Sequence, residues 1–138
     1  MTQRVDLQFL SRDVRIYFPL RDEYPVDLLV QGGLAEEDHP DLSQKPFLRV
    51  AKCRGEVVGV YYSRVITPTR HQMESLAVNP PWRGRGIGSW LVGHALGVSE
   101  SRGAKELAAR ANTSADGLFQ RLHFVRVYDN WQMNIDPE

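Results

Sequence analysis

From Phe47 onward apolar and polar positions alternate in short runs. PFLRVAKCRGEVVGVYYSRVI reads as two strands joined at Arg54-Gly55, and TPTR at 67–70 turns the chain into a third, HQMESLAV. The three predict an antiparallel meander. The period then changes: Ile87, Trp90, Leu91, Ala95 and Val98 recur at helical spacing, and Gly103 closes that helix. KELAARA at 105–111 is short enough for a strand, so strand, helix, strand in that order predicts a right-handed parallel crossover. Asn112, Thr113 or Ser114 can cap a second short helix running through Leu122. Phe124 to Tyr128 and Trp131 to Ile135 read as a terminal pair of strands around Asp129-Asn130. An exposed final strand carrying Trp131 and Met133 could pair with a second subunit and give a homodimer; the sequence leaves the oligomeric state open.

The N-terminal third is less periodic. Val5, Leu7 and Phe9 alternate with polar residues, and so do Val14, Ile16 and Phe18, so either run can be the first strand. Pro25 opens a short helix over Val26 to Val30, which Gly32 and Gly33 end before a polar connection through Glu36, Asp38 and Pro40. The expected class is α/β of the α+β type, a mixed sheet with helices. A chain of 138 residues has the length of one domain, 1–138.

Composition narrows the function classes. Lys and Arg number 17 against 17 Asp and Glu, so bulk charge gives no reason to expect nucleic acid as a partner. Charges at Arg4, Asp6, Arg12 and Asp13 interrupt any signal-peptide core. No apolar run approaches the roughly 18 residues that span a membrane, so no membrane partner is expected and the predicted location is cytoplasmic. The single cysteine, Cys53, reads as a small strand residue. The four histidines lack ligand spacing, and no metal is expected.

The stretch NPPWRGRGIGSWL, residues 79–91, is the chemical signal. A glycine-rich turn between strand and helix leaves backbone N–H groups unpaired at the positive end of the helix dipole, an arrangement suited to phosphate. Gly84, Gly86 and Gly88 keep Cβ atoms out of the way, and Arg83 and Arg85 add charge. No Lys-Ser/Thr follows, which argues against a Walker A loop, and Ser89 and Leu91 stand where a dinucleotide fingerprint needs glycine.

MESLAVNPPWRGRGIGSWLV resembles the acyl-CoA motif of the GNAT superfamily of N-acetyltransferases, whose signature is Arg/Gln-x-x-Gly-x-Gly/Ala after a strand ending in a Leu-x-Val-like sequence. Arg83, Gly86 and Gly88 fill the signature; Leu76, Ala77 and Val78 fill the strand end. ANTSADGLFQRLHF resembles the family's second motif, with Asn112, Ala115 and Phe124 in place. The resemblance implies a mostly antiparallel sheet with a central, splayed parallel pair and flanking helices. It implies acetyl-CoA as co-substrate and an amine as acceptor. The pyrophosphate would sit on the backbone from Arg83 through Gly84, Arg85, Gly86, Ile87 and Gly88 to Ser89. The pantetheine arm would pair with Leu76, Ala77 and Val78, and Asn112 and Phe119 would belong to the cofactor site.

The same resemblance assigns the oxyanion to the Leu76 N–H, a fixed dipole that needs no reorganisation. Glu74, two residues before Leu76 on the same strand, is the candidate catalytic base; a solvated strand residue, or one that binds a cationic substrate, is the alternative. Two positions depart from the pattern. Phe119 replaces the tyrosine that would protonate the leaving thiolate, and His123 replaces a glycine. Tyr61, Tyr62 and Tyr128 are substitutes for the acid or strand packing residues, and His123 reads as a C-terminal helix cap. The sequence thus supports an acetyl-CoA-dependent N-acetyltransferase, with a catalytically weak acyl-CoA-binding domain as the alternative.

Overall fold

Residues 14–19, 25–34 and 47–135 are described by the computed structural model. Strand β1 is Val14–Tyr17 and helix α1 is Val26–Gln31; β2 (Leu48–Cys53), β3 (Glu56–Thr67) and β4 (Arg70–Val78) form the predicted meander. A 3-10 turn at Pro80–Trp82 leads into α2 (Ile87–Ser101), then β5 (Glu106–Arg110), α3 (Asp116–Arg121), β6 (Val125–Val127) and β7 (Asn130–Asn134). The alternative first strand around Val5 to Phe9 lies outside the described residues. One sheet runs in the order β1-β2-β3-β4-β5-β7-β6. Every neighbouring pair is antiparallel except β4 and β5. The mixed sheet with its central parallel pair is the expected class.

Helices cover both faces. Leu28, Leu29 and Leu34 pack with Val50, Val60 and Tyr62, while Leu91, Val92 and Phe119 pack with Tyr61, Met73 and Leu107. The buried stripe of α2 is Ile87, Leu91, Val92, Ala95 and Ser99. Trp90, expected on that stripe, is 43% exposed. Its position is a quarter turn off the line set by Ile87, Leu91 and Ala95, which already fills the space against the sheet.

One irregularity positions the site. Tyr62 pairs with Ser75 but Ser63 pairs with Met73, so Glu74 is an extra residue on β4. Such a bulge shifts the side-chain alternation by one, which is why Met73 and Leu76, at odd separation, share one cluster. Pairing to β5 ends at the same place, with Met73 opposite Ala109. Beyond it β4 continues to Val78 without β5, and the parallel pair splays.

Three expectations need correction. The final strand is interior, since β7 lies between β5 and β6, and Trp131 is buried. The edge is β6, three residues long and carrying Arg126, the kind of strand that resists pairing with another copy. Tyr128 is a turn residue, 91% exposed at φ 55°. The cap residue of α3 is Ala115, one position past the predicted 112–114. The Asp116 carboxylate accepts from the Asn112 and Thr113 N–H groups and from the Trp131 indole, and Thr113 Oγ1 accepts from Ala115 N–H. The Trp131 bond, ahead of the backbone bonds, holds the Asp116 carboxyl below its usual range.

His123 stands at the C-terminal end of α3, as its reading as a cap predicts, and closes the helix through its backbone. It sits at φ 70°, its N–H donating to the Gln120 carbonyl while the Phe124 N–H donates to that of Phe119. That is a Schellman ending with a histidine at the position that favours glycine, and the Phe119 and Phe124 rings, 5.0 Å apart, make its apolar contact.

Candidate active site

A groove of about 390 Å³ opens where β4 leaves β5. Its wall includes Leu76, Ala77 and Val78 from β4, and Arg83, Gly84, Gly86, Ile87, Gly88 and Ser89 from the turn and first residues of α2. Gly84 and Gly86 stand at φ 77° and 88°, with nothing within 4 Å of where a Cβ would be. The turn therefore needs glycine for its conformation and leaves its backbone open to approach. The first internal bond of α2 runs from Trp90 N–H to the Gly86 carbonyl at 3.1 Å. The N–H groups of Ile87, Gly88 and Ser89 precede it and are the free positive end of the helix.

Ser114 and Ala115 of the second motif also line it, and Gln31, Trp82, Leu118 and Arg121, which the sequence did not single out, complete the wall. Arg83 and Arg121 are the charged residues among the lining, and no carboxylate joins them. Arg85 is elsewhere, its guanidinium over the Trp82 ring at 5.9 Å. Asn112 is also outside the lining, with its Oδ1 accepting from Arg126. Leu118 was findable: a Cβ on Gly88 would meet Leu118 Cδ2 at 3.1 Å, so the third glycine lets α3 close on α2.

The open edge of β4 is partly occupied. Asn79 N–H donates to Val58 on the β3 side, so by alternation Leu76 and Val78 present their backbone groups to the splay. The Leu76 N–H is not free, as the resemblance implied, because it donates to the Gly32 carbonyl at 3.2 Å. Beside it Ser75 Oγ donates to the Leu29 carbonyl at 2.7 Å. The end of α1 thus docks on β4, which only a residue without a Cβ permits. At the other end Arg83 Nε donates to the Val78 carbonyl at 2.8 Å. The Leu76 carbonyl and the Val78 N–H are left facing the groove.

A second, small cavity of about 20 Å³ lies beside the groove on the β5 side, bounded by Gly32, Glu74, Leu76, Arg110, Thr113, Ala115 and Phe119 among others. Leu76 and Ala115 line both spaces. Phe119 borders this cavity and not the groove, and its side chain is buried. Glu74 is not a solvated strand residue: it is 7% exposed, with Oε1 accepting from Arg110 Nη2 at 2.8 Å and Oε2 from Arg64 Nη2 at 3.0 Å and Nε at 3.3 Å.

The sheet's tyrosines are placed away from the cavity. Tyr61 OH bonds to His94 Nδ1 at 2.8 Å, and burial raises the phenol far above its usual range, against the charge of Arg49. Tyr62 packs on the opposite face with the α1 residues. Among the described residues no group of three or more His, Cys, Asp or Glu could hold a metal ion, and no helix is long and apolar enough to cross a membrane.

Comparison with known proteins fits this geometry. The fold is similar to that of IAA acetyltransferase from Bacillus cereus ATCC 14579, at 22% identity over 88% of this chain and 99% of that one, with a TM-score of 0.75. It is similar to a GNAT family acetyltransferase from Elizabethkingia anophelis with acetyl-CoA bound (18% identity, 88% and 98% covered, TM-score 0.72). N-acetylglutamate synthase from Neisseria gonorrhoeae, complexed with coenzyme A and N-acetyl-glutamate, shares the fold over 89% of this chain and 35% of its own (16% identity, TM-score 0.77). No curated protein matches the sequence. The acetyltransferase (GNAT) family model matches residues 8–124, a span that takes in the meander, the glycine turn and the second motif, and the chain belongs to that family.

Proposed function

We propose that this chain transfers the acetyl group of acetyl-CoA to the nitrogen of an amine. The observation that carries the proposal is that the groove and the small cavity adjoin, sharing Leu76 and Ala115 in their walls. A molecule lying along β4 from the glycine turn brings its far end to the place where an acceptor arrives. The free N–H groups at the start of α2, with Arg83 and Arg121, suit a pyrophosphate. The Leu76 carbonyl and Val78 N–H suit the amides of a pantetheine arm, which would complete the hydrogen bonding of the splayed edge.

Transfer forms a C–N bond and breaks a C–S bond, so the amine loses a proton and the departing sulfur gains one. Leu76 N–H would hold the oxyanion once the Gly32 carbonyl withdraws. Phe119 has no proton to give, and a thiol with a pKa of about 8.5 leaves without a dedicated acid, more slowly than with one. Both oxygens of Glu74 are engaged by guanidinium groups, which favours a positioning role over that of base.

A second reading, an acyl-CoA-binding module with little turnover, draws on Phe119 and on the engaged Leu76 N–H. Calorimetry with acetyl-CoA and with pantetheine lacking the nucleotide tests the binding half, with a large loss of affinity expected for the truncated ligand. Release of CoA thiol over a panel of amines tests the transfer half. Equal affinities would refute the pyrophosphate site. Tight acetyl-CoA binding without thiol release for any amine would leave the binding module standing.

A further inference from the structure

The small cavity is bordered by a cluster of charge that the acetyl-CoA groove does not use. Glu74 sits in the β4 bulge with a guanidinium on each oxygen, Arg64 from β3 and Arg110 from the end of β5. One arginine would neutralise the carboxylate. Two leave an uncompensated positive charge, and both arginine side chains are about half exposed, at 52% and 56%, while Glu74 is buried. A guanidinium carries more N–H donors than these bonds use. Donors therefore remain available on two cations whose positions are fixed by a buried anchor.

The size of the cavity decides what lies where. A volume of about 20 Å³ admits roughly one water-sized group, enough for a reacting amine nitrogen and not for the molecule that bears it. The rest of the acceptor must lie outside; Arg110 and Glu74 bound the cavity, and Arg64 reaches the same carboxylate from β3. We propose that the acceptor is an amine that also carries a carboxylate, an amino acid or similar anion, held by Arg64 and Arg110 while its nitrogen enters beside Leu76. This rests on the acetyltransferase reading. Bidentate pairing with a carboxylate is the recognition a guanidinium performs best, and arginines already held by Glu74 lose little freedom on binding it. Glu74 is then a positioning residue.

The test uses pairs in which a carboxamide replaces the carboxylate, compared at equal concentrations of the neutral amine because the amide lowers the pKa of a nearby ammonium group. In the first arm glycine, 4-aminobutyrate and glutamate are compared with their carboxamides as acceptors, by CoA release with saturating acetyl-CoA. At least one acid should exceed its amide in kcat/KM by about tenfold or more. Arg64→Gln and Arg110→Gln should each narrow that ratio, with the loss in KM. Glu74→Gln should raise the KM of the acid more than it lowers kcat, whereas loss of a base would appear in kcat and steepen at low pH.

In the second arm N-acetylglycine, N-acetyl-4-aminobutyrate and N-acetylglutamate are titrated against their amides in the presence of CoA. It needs no turnover, and tighter binding of an acid, abolished by Arg64→Gln in a protein with unchanged circular dichroism, supports the anion site even if acetyl transfer itself fails. Acids and amides that are used and bound equally would overturn it. So would arginine substitutions that weaken both equally.

Discussion

Gly32→Ala tests whether the end of α1 sits on the open edge of β4. Gly32 has φ −83° and ψ 0°, which alanine adopts freely, so the substitution acts through contact and not through backbone strain. An added Cβ would stand 2.5 Å from Ser75 Oγ and 2.7 Å from the backbone N and C of Leu76. Neither backbone atom can move without shifting the sheet, so the turn must lift. Overpacking of this kind costs about 1–3 kcal/mol. Lifting also breaks the Leu76 N–H to Gly32 bond and the Ser75 to Leu29 bond, each about 1 kcal/mol. Replacing glycine returns about 0.4–1 kcal/mol through the unfolded chain. The net loss is about 2–5 kcal/mol, which lowers a urea midpoint by roughly 1–2.5 M for a slope of about 2 kcal/mol/M. Hydrogen exchange supplies the local readout, since the Leu76 amide should lose protection more than its neighbours on the β3 side of the strand. Gly33→Ala is the contrast: its Cβ would meet only the Glu74 carbonyl at 3.4 Å, but φ is 119°, so strain replaces collision. A Gly32→Ala protein as stable as the parent, with Leu76 still protected, would refute the docked turn.

The other predictions draw on separate features. Gly86→Val should abolish acetyl-CoA binding in calorimetry while the far-ultraviolet dichroism persists, because a β-branched residue at φ 88° distorts the turn that aims the N–H groups. His123→Gly should stabilise the protein by about 1 kcal/mol in urea, since it relieves a left-handed histidine at the end of α3. Burial, then Arg102 for His71 and Arg49 for His94, lowers both histidines in the folded state. The unfolded chain therefore takes up protons first, and stability should fall as pH drops below about 6.5, a slope that His71→Gln should reduce. Phe119→Tyr places a phenol at the edge of the small cavity and should raise CoA release by about tenfold or less; no gain would mean that thiolate departure is not limiting.

Local pattern carried the meander, the glycine turn and α2, because alternation, turn residues and helical spacing are each set within a few neighbouring residues. What escaped was register. Nothing in HQMESLAV marks Glu74 as a bulge, since the extra residue exists only relative to β3. Arg64, Glu74 and Arg110 lie 10 and 36 residues apart and meet only after β4 has paired on both sides. The order β5-β7-β6 was likewise hidden: either strand of a terminal hairpin can join β5, and the choice falls to the one that buries Trp131 and leaves the short VRV strand outside.

The splayed edge explains why these missed features converge on one place. A strand that loses its partner at mid-length must satisfy its remaining backbone groups otherwise, or leave them to solvent and ligand. Here the Gly32 carbonyl takes the Leu76 N–H and Arg83 takes the Val78 carbonyl. The two groups left between them, an acceptor at Leu76 and a donor at Val78, face the groove together, and they are complementary to the amide of an extended ligand. The bulge at Glu74 falls where pairing with β5 ends, so the residue at the mouth of the splay also holds Arg64 and Arg110. Without the extra residue Leu76 would slip by one against β3 and turn to the opposite face.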